Sequence, residues 1–418
     1  MHGEESALYH DLHIDTAEKG KLPSNAKERQ RESFQIIRYI PSWQLRVGAR
    51  VDSSSVQPFR IDLPSEEAGG GGLGFMEVLP DGNVAVDLTL ANPSRMERGG
   101  EEVGTRLRLR STKFVPWHPT TSAALPMGSR GPEGPIQHLG ALLPLHWYVH
   151  SSSAPAIFSL EHTSLSSPSR SGGSGDMELN DAVAAGRGLL HVEKNWGQAF
   201  PSGWMWAHGA SPLPDPSYTS SSSQPAARLS LAGGSILGLT AFLVGIHIQH
   251  GSETWDWNFT PPFALGPKHT LKGSPGERVH IGPGLHMRRD FANKTFTLDV
   301  WTPTQWAHIE IDGDEHTFAT QIPGPRKGGW SPGYCHHSYR CRAKIALYQR
   351  SLAATVTLPL RAAVHPISTL RTCRRFLARP VEAKEKEDDE WSSFGWYKVV
   401  EAQLPDRVAL EFGGDFAQ

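Results

Sequence analysis

Three stretches of the chain carry residue types at spacings that known chemistry uses. Gly329-Trp330-Ser331-Pro332-Gly333 has the G-x-S-x-G form of a nucleophile elbow. That device needs the residue after the serine to donate its backbone N–H to an oxyanion. Pro332 has no N–H, so what remains is a Pro-Gly turn. Gly69, Gly71 and Gly74 fit G-x-G-x-x-G. The dinucleotide fingerprint requires a buried strand before it and a helix after it. Here the charged PSEEA precedes and the strand-like FMEVL follows, which reads as a glycine loop. Cys335, His336, His337 and Cys341 are metal-ligand types, but their spacing is not that of a structural zinc site. Two adjacent histidines on a strand also point to opposite faces, so no metal is expected.

Ionisable residues set among aromatics are the stronger candidates. On a strand, period 2 places His191, Glu193 and Asn195 on one face, and Val192, Lys194 and Trp196 on the other. Asp256 stands between Trp255 and Trp257, and Trp204 and Trp206 share a face with His208. Each also has a plain structural alternative. Glu193 could pair with Lys194 to hold a strand, Asp256 could make a turn before Asn258, and an aromatic stripe is commonly core packing.

The elements that must position these groups are short strands. Pro (32) and Gly (42) are abundant, which suits many short elements joined by turns better than long helices. GFMEVL (74–79), NVAVDLTL (83–90), TFTLDVW (295–301), WAHIEIDG (306–313), KIALYQR (344–350), ATVTLPLRAAV (354–364) and RVALEFGG (407–414) all have strand character, the last placed to close a sheet. Pro80-Asp81-Gly82 is a turn, with proline presetting φ and glycine allowing positive φ. The apolar run Leu231 to Ile246 is too short to span a bilayer and carries glycines. It reads as a buried strand pair with a glycine-marked bend.

The net charge is -2, from Lys+Arg 41 against Asp+Glu 43. Such a balance provides no basic field for nucleic acid or anionic membrane. Three cysteines (Cys335, Cys341, Cys373) argue against a disulfide framework and for a reducing compartment. The N-terminus has neither a secretory h-region nor the character of a transit peptide. The chain is therefore expected to be intracellular, soluble or peripheral to a membrane. The expected organisation is a poorly ordered segment over 1–35, a divergent N-terminal β domain over 36–145, and a β region over 146–418, joined through a loop within 115–145.

From about residue 115 onward, an ordered set of motifs resembles the tocopherol cyclase family. The set runs LHWYVH (145–150), Glu193-Lys194-Asn195-Trp196-Gly197, then FPSGWMWAHG (200–209), LAGGSILGLTAFLVG (231–245) and finally ALEFGG (409–414). The resemblance implies an all-β fold of two lipocalin-like β-barrel domains with long irregular loops. It also implies cyclisation of a prenylated hydroquinone to a chromanol without a cofactor. In that reaction an alkene is protonated to a tertiary cation and the phenol oxygen closes the ring. A site for it needs a general acid in an apolar pocket, π faces that stabilise the cation and exclusion of water. On that chemistry Glu193 is the first choice for the acid and Asp256 the second, with His191 beside Glu193. Trp147, Asn195, Trp196, Trp204, Trp206 and Trp255 are the expected ligand contacts. The same features fit two further readings: a non-catalytic lipocalin-like binder of prenyl lipids, and a hydratase in which water traps the cation. The expected partner is a prenylated aromatic small molecule, reached through peripheral membrane contact without a transmembrane segment.

Overall fold

The computed structural model describes residues 7–12, 34–39, 46–49, 58–63, 74–96, 102–117, 132–133, 145–164, 182–197, 200–211, 224–236, 238–267, 270–272, 277–282, 284–318, 321–326, 329–350 and 396–417. These are almost entirely strand, with short 3-10 turns at Glu315–Thr317 and Asp415–Ala417. The all-β expectation holds.

Alternating polar and apolar residues, broken by turns, yield strands β1 (Ala7–Leu12), β2 (Phe34–Tyr39), β3 (Arg46–Ala49), β4 (Phe59–Leu63), β5 (Gly74–Val78), β6 (Val84–Met96) and β7 (Glu102–Ser111). Two long strands follow, β8 (Leu145–Ser164) and β9 (Ala182–Gly197). Next come β10 (Gly203–Ala210), β11 (Ala226–Ile236), β12 (Leu239–His250), β13 (Glu253–Phe259), β14 (Leu265–Pro267), β15 (Thr270–Lys272) and β16 (Glu277–Gly282). The last are β17 (Leu285–Asp290), β18 (Thr295–Trp301), β19 (Gln305–Asp312), β20 (Gln321–Arg326), β21 (Gly329–Arg350) and β22 (Trp396–Gly414). Gly82 takes the positive φ, +83°, that its turn requires. β11 and β12 form the strand pair expected from the apolar run, with the bend at Gly238. ATVTLPLRAAV (354–364) lies outside the described residues.

The chain divides into two compact units: residues 1–115 with 151–191, and residues 116–150 with 192–418. The division is interleaved, where the sequence suggested one join within 115–145, because β8 and β9 each contribute to both units. Within the 1–35 stretch expected to lack order, β1 forms an antiparallel pair with β2.

The first unit is built on a sheet in simple sequence order, β3 to β9. Leu107, Phe158 and Leu160 form a small buried cluster on it. The second unit holds a 13-stranded sheet in which β22 lies between β10 and β21 and so joins its two halves. Its inward residues form one large core, including Met205, Leu229, Phe242, Ile246, Leu298, Ile309, Leu347 and Phe412. The rings of Phe242 on β12 and Phe296 on β18 approach to 5.9 Å between centroids, although several strands separate them in ladder order. The sheet therefore curls over its own core. Each such large side chain contributes about 1.5–3 kcal/mol by leaving water. Among the described residues no ladder joins the ends of the path, β13 and β15, so the pairings draw an open curled sheet and not the closed barrel expected.

Candidate functional site

Along β10, Met205 and Ala207 enter the core, and period 2 therefore turns Trp204, Trp206 and His208 to the opposite face. Register then lays out rows across the neighbouring strands. Trp206 is opposite Ala232, which is opposite Leu243; His208, Ser230, Gly245 and Asn258 form the next row. Arg228, His247 and Asp256 form a third, on β11, β12 and β13.

Trp117, Trp147 and Val149, all buried, pack over this face against Trp206, Ala232 and Leu243. Trp117 can lie so close only because residue 245 is glycine: a Cβ there would fall 1.7 Å from its ring. Its ring meets Trp147 edge-on at 5.7 Å, and His247 at the same distance and nearly perpendicular. Gly413 does the same for Trp204, where a Cβ would sit 2.0 Å from the indole.

Glu193 is the point on which this face converges. The indole N–H of Trp147 and that of Trp206 both donate to its Oε2, each at 3.0 Å. Trp147 is anchored in turn, because its backbone N–H donates to Oε1 of the buried Glu133 at 2.6 Å. His146 Nδ1 lies 3.3 Å from the other oxygen of Glu133. Asn258 ties the same region down by donating from Nδ2 to the Pro132 carbonyl at 3.3 Å. His247 Nδ1 sits 3.2 Å from Asp256 Oδ1. Burial lowers the Arg228 guanidinium below its ordinary range, partly countered by Asp256. His208 Nδ1 lies 2.8 Å from Ser230 Oγ. A second carboxylate stands one strand away, since Trp204 Nε1–H donates to Glu411 Oε1 at 2.5 Å and Glu411 is the register partner of Trp206.

Of the residues chosen from sequence, Glu193, Trp147 and Trp206 are brought into direct contact. Trp204 shares their face, and Asp256 joins it through His247. Trp255 lies on the other face of β13, packed against the end of the core beside an open depression of about 530 Å³ that Tyr397 and Gln349 also line. His191 is half-buried on β9 and belongs to the first unit's share of that strand. Asn195 and Lys194 are exposed. Trp196 is in β9, its side chain outside the described residues. Sequence reading missed Trp117, Glu133, His247 and Glu411. His247 and Glu411 could have been found as polar breaks in apolar alternation, within GIHIQ and ALEFGG. Trp117 and Glu133 lie in a Pro- and Gly-rich loop that carries no periodic signal.

In the Cys-His-His stretch the two imidazoles diverge. His336 packs on Phe291 while His337 lies 3.8 Å from Glu411, on the opposite side of β21. Burial pushes the Cys335 thiol up, and that of Cys341 up to about 12. No group of metal-ligating residues is found among the described residues.

A second buried polar cluster lies farther along the same sheet. Asp299 on β18 accepts from His308 Nδ1 at 2.7 Å and from the Trp306 indole at 3.1 Å, with His286 Nδ1 3.4 Å away. His308 Nε2 lies 3.1 Å from Glu310. Burial alone would raise the Asp299 carboxyl; the bonds and charges of His286 and His308 outweigh it and hold it down to about 2. Burial alone would lower His308; Asp299 and Glu310 outweigh it and push it up to about 9.

Comparison with protein-family models, with curated proteins and with solved structures returns no match. Function is therefore argued from the site. Two indole donors on a single carboxyl oxygen satisfy both lone pairs of a carbonyl oxygen. A Glu193 carboxyl in that arrangement would carry its proton on Oε1. Indole faces nearby offer π surfaces to a cation.

Proposed function

We propose that this protein binds a prenylated hydroquinone in the aromatic face of its second unit and closes it to a chromanol. Glu193 protonates the alkene, and the phenol oxygen attacks the resulting tertiary cation. One observation carries the reading: Trp147, Glu193 and Trp206 come from three separate motifs of the tocopherol cyclase resemblance and meet at one carboxyl oxygen. Residues brought together only to fill a core need no shared polar atom. The ligand enters where Trp206, His208 and Glu193 are half-buried, and the reaction needs no redox cofactor because substrate and product are isomers. The lipocalin-like reading belongs to the same proposal, with each unit a curled sheet around its own core.

A second reading, a non-catalytic binder of prenyl lipids, is favoured by the dense packing of the indoles over Glu193. Among the described residues no helix is long and apolar enough to cross a membrane. A lipid substrate would be taken up by peripheral contact, in an intracellular setting. Incubating the protein with a phytyl-type benzoquinol and looking for the chromanol by mass tests the proposal. Chromanol formation supports the cyclase. Quenching of indole emission by the quinol without chromanol leaves the binder, and neither response rejects both.

A further inference from the structure

The second unit carries a depression that the cyclase reading does not use. We propose that it is a binding site for a neutral saccharide, separate from the aromatic face that holds Glu193.

The depression is open and about 530 Å³ in volume, within the usual range for a small-molecule site. It lies where the curl of the second sheet brings β13, one end of the ladder path, near β21 and β22. Trp255 forms one wall. On β13 it shares the core side with Trp257 and Phe259, so period 2 turns it away from Asp256 and the polar rows. Tyr397 and Gln349 form the other wall, as direct register partners on β22 and β21. Glu253 and Lys398 complete the rim.

Two features define the ligand. The first is that the rings and polar groups here are unspent. Tyr397 is 54% exposed, the most of any large apolar or aromatic side chain among the described residues. Among those residues neither Trp255 nor Tyr397 has an aromatic partner, and the side chains of Glu253 and Gln349 make no hydrogen bond. The second is charge. Lys398 and Lys344 share Glu401, at 3.3 and 3.1 Å, which leaves one positive charge over on that wall. The Glu253 carboxylate across the depression balances it. A rim without net charge gives no preference to a quaternary ammonium or to an anion.

A pyranose has the complementary make-up. Its C–H faces lie on the negative face of an indole or phenol ring, and its hydroxyls donate and accept around the edge. The Glu253 carboxylate accepts, the Lys398 ammonium donates, and the Gln349 amide does both. A prenyl chain in the same place would strip those groups of water with nothing in return.

The test is isothermal titration of the full chain with cellobiose and with maltose, alongside choline and a phytyl-type benzoquinol. Millimolar binding of a disaccharide is expected, with NMR saturation transfer from the protein to the ring C–H protons. Tyr397→Ala is expected to weaken binding about tenfold, the worth of one aromatic contact. Tyr397→Phe keeps the ring and should weaken it less. Tyr397 is exposed, so neither change disturbs the core. No binding of either disaccharide would overturn the proposal. So would binding that Tyr397→Ala leaves unchanged, which would place the sugar elsewhere. Choline binding that Tyr397→Ala abolishes would assign the depression to a cation instead, and displacement of the disaccharide by the quinol would assign it to the quinol.

Discussion

Two carboxyl groups of the second unit accept from indole N–H donors, and their surroundings treat them in opposite ways. Asp299 is fully buried and faces two imidazoles, so its partners are groups that can carry charge. Glu193 is half-buried and receives two neutral indole donors on one oxygen. Imidazolium partners lock a carboxylate in its charged form, because any proton gained would break charge-assisted bonds in a medium of low dielectric. The indoles at Glu193 are neutral donors that hold one oxygen in place without adding charge. Two carboxyls beneath indole donors can thus differ in the charge that their partners bring.

That contrast can be broken most directly at Glu193. Glu193→Gln keeps an oxygen that can accept from both indoles but removes the acid, so cyclisation is expected to fall by about 10²–10⁴-fold. The thermal midpoint and quinol-induced quenching should change little. A variant that keeps full activity would place Glu193 with Asp299, as a structural group, and move the acid role to Asp256.

At the other carboxyl the loss should be of stability. Asp299→Asn leaves His286 and His308 buried without their carboxylate, at a cost of roughly 3–5 kcal/mol in denaturant unfolding. Activity per folded molecule should be unchanged. An active-site effect from this change would mean the two clusters are coupled.

The contrast also has a pH signature. His308 is raised from an ordinary 6.5 to about 9. Its contribution is therefore fully present below pH 6.5 and is lost as pH rises through about 9, with an upper limit of roughly 3–4 kcal/mol. Asp299 is depressed from 3.8 to about 2, so its contribution is present above pH 3.8 and lost as pH falls toward 2. Urea midpoints measured across this range should show the alkaline loss in the unaltered protein and a smaller loss in Asp299→Asn, where Glu310 still faces His308.

The smallest effect is expected at Trp206. Trp206→Phe keeps a ring on Ala232 and removes one of the two donors to Glu193, worth about 1 kcal/mol. That corresponds to a several-fold change in turnover or in quinol affinity, read by chromanol yield and by quenching. A loss as large as that of Glu193→Gln would show that both donors are needed together.

Local rules made much of this molecule legible in its sequence. Period-2 alternation placed Trp204, Trp206 and His208 on one face, and their neighbours Met205 and Ala207 duly enter the core. Turn chemistry located the bend at Gly82 and foresaw a glycine-marked bend in the apolar run, and the absent N–H of Pro332 disposed of the serine nucleophile. Such features depend on a few adjacent residues, so no knowledge of distant strands is required. Which face is filled and which carries the polar site was decided by the curl of the whole second sheet. The meeting of Trp147 and Trp206 at Glu193, across 46 and 13 residues of chain, brings together β8, β9 and β10, which no local rule places side by side. The His247–Asp256 pair and the seat of Trp117 over Gly245 likewise depend on long-range register and on a loop without periodic signal. Alternation says only that a residue faces one side or the other; register, set by packing the complete core, says what it meets there.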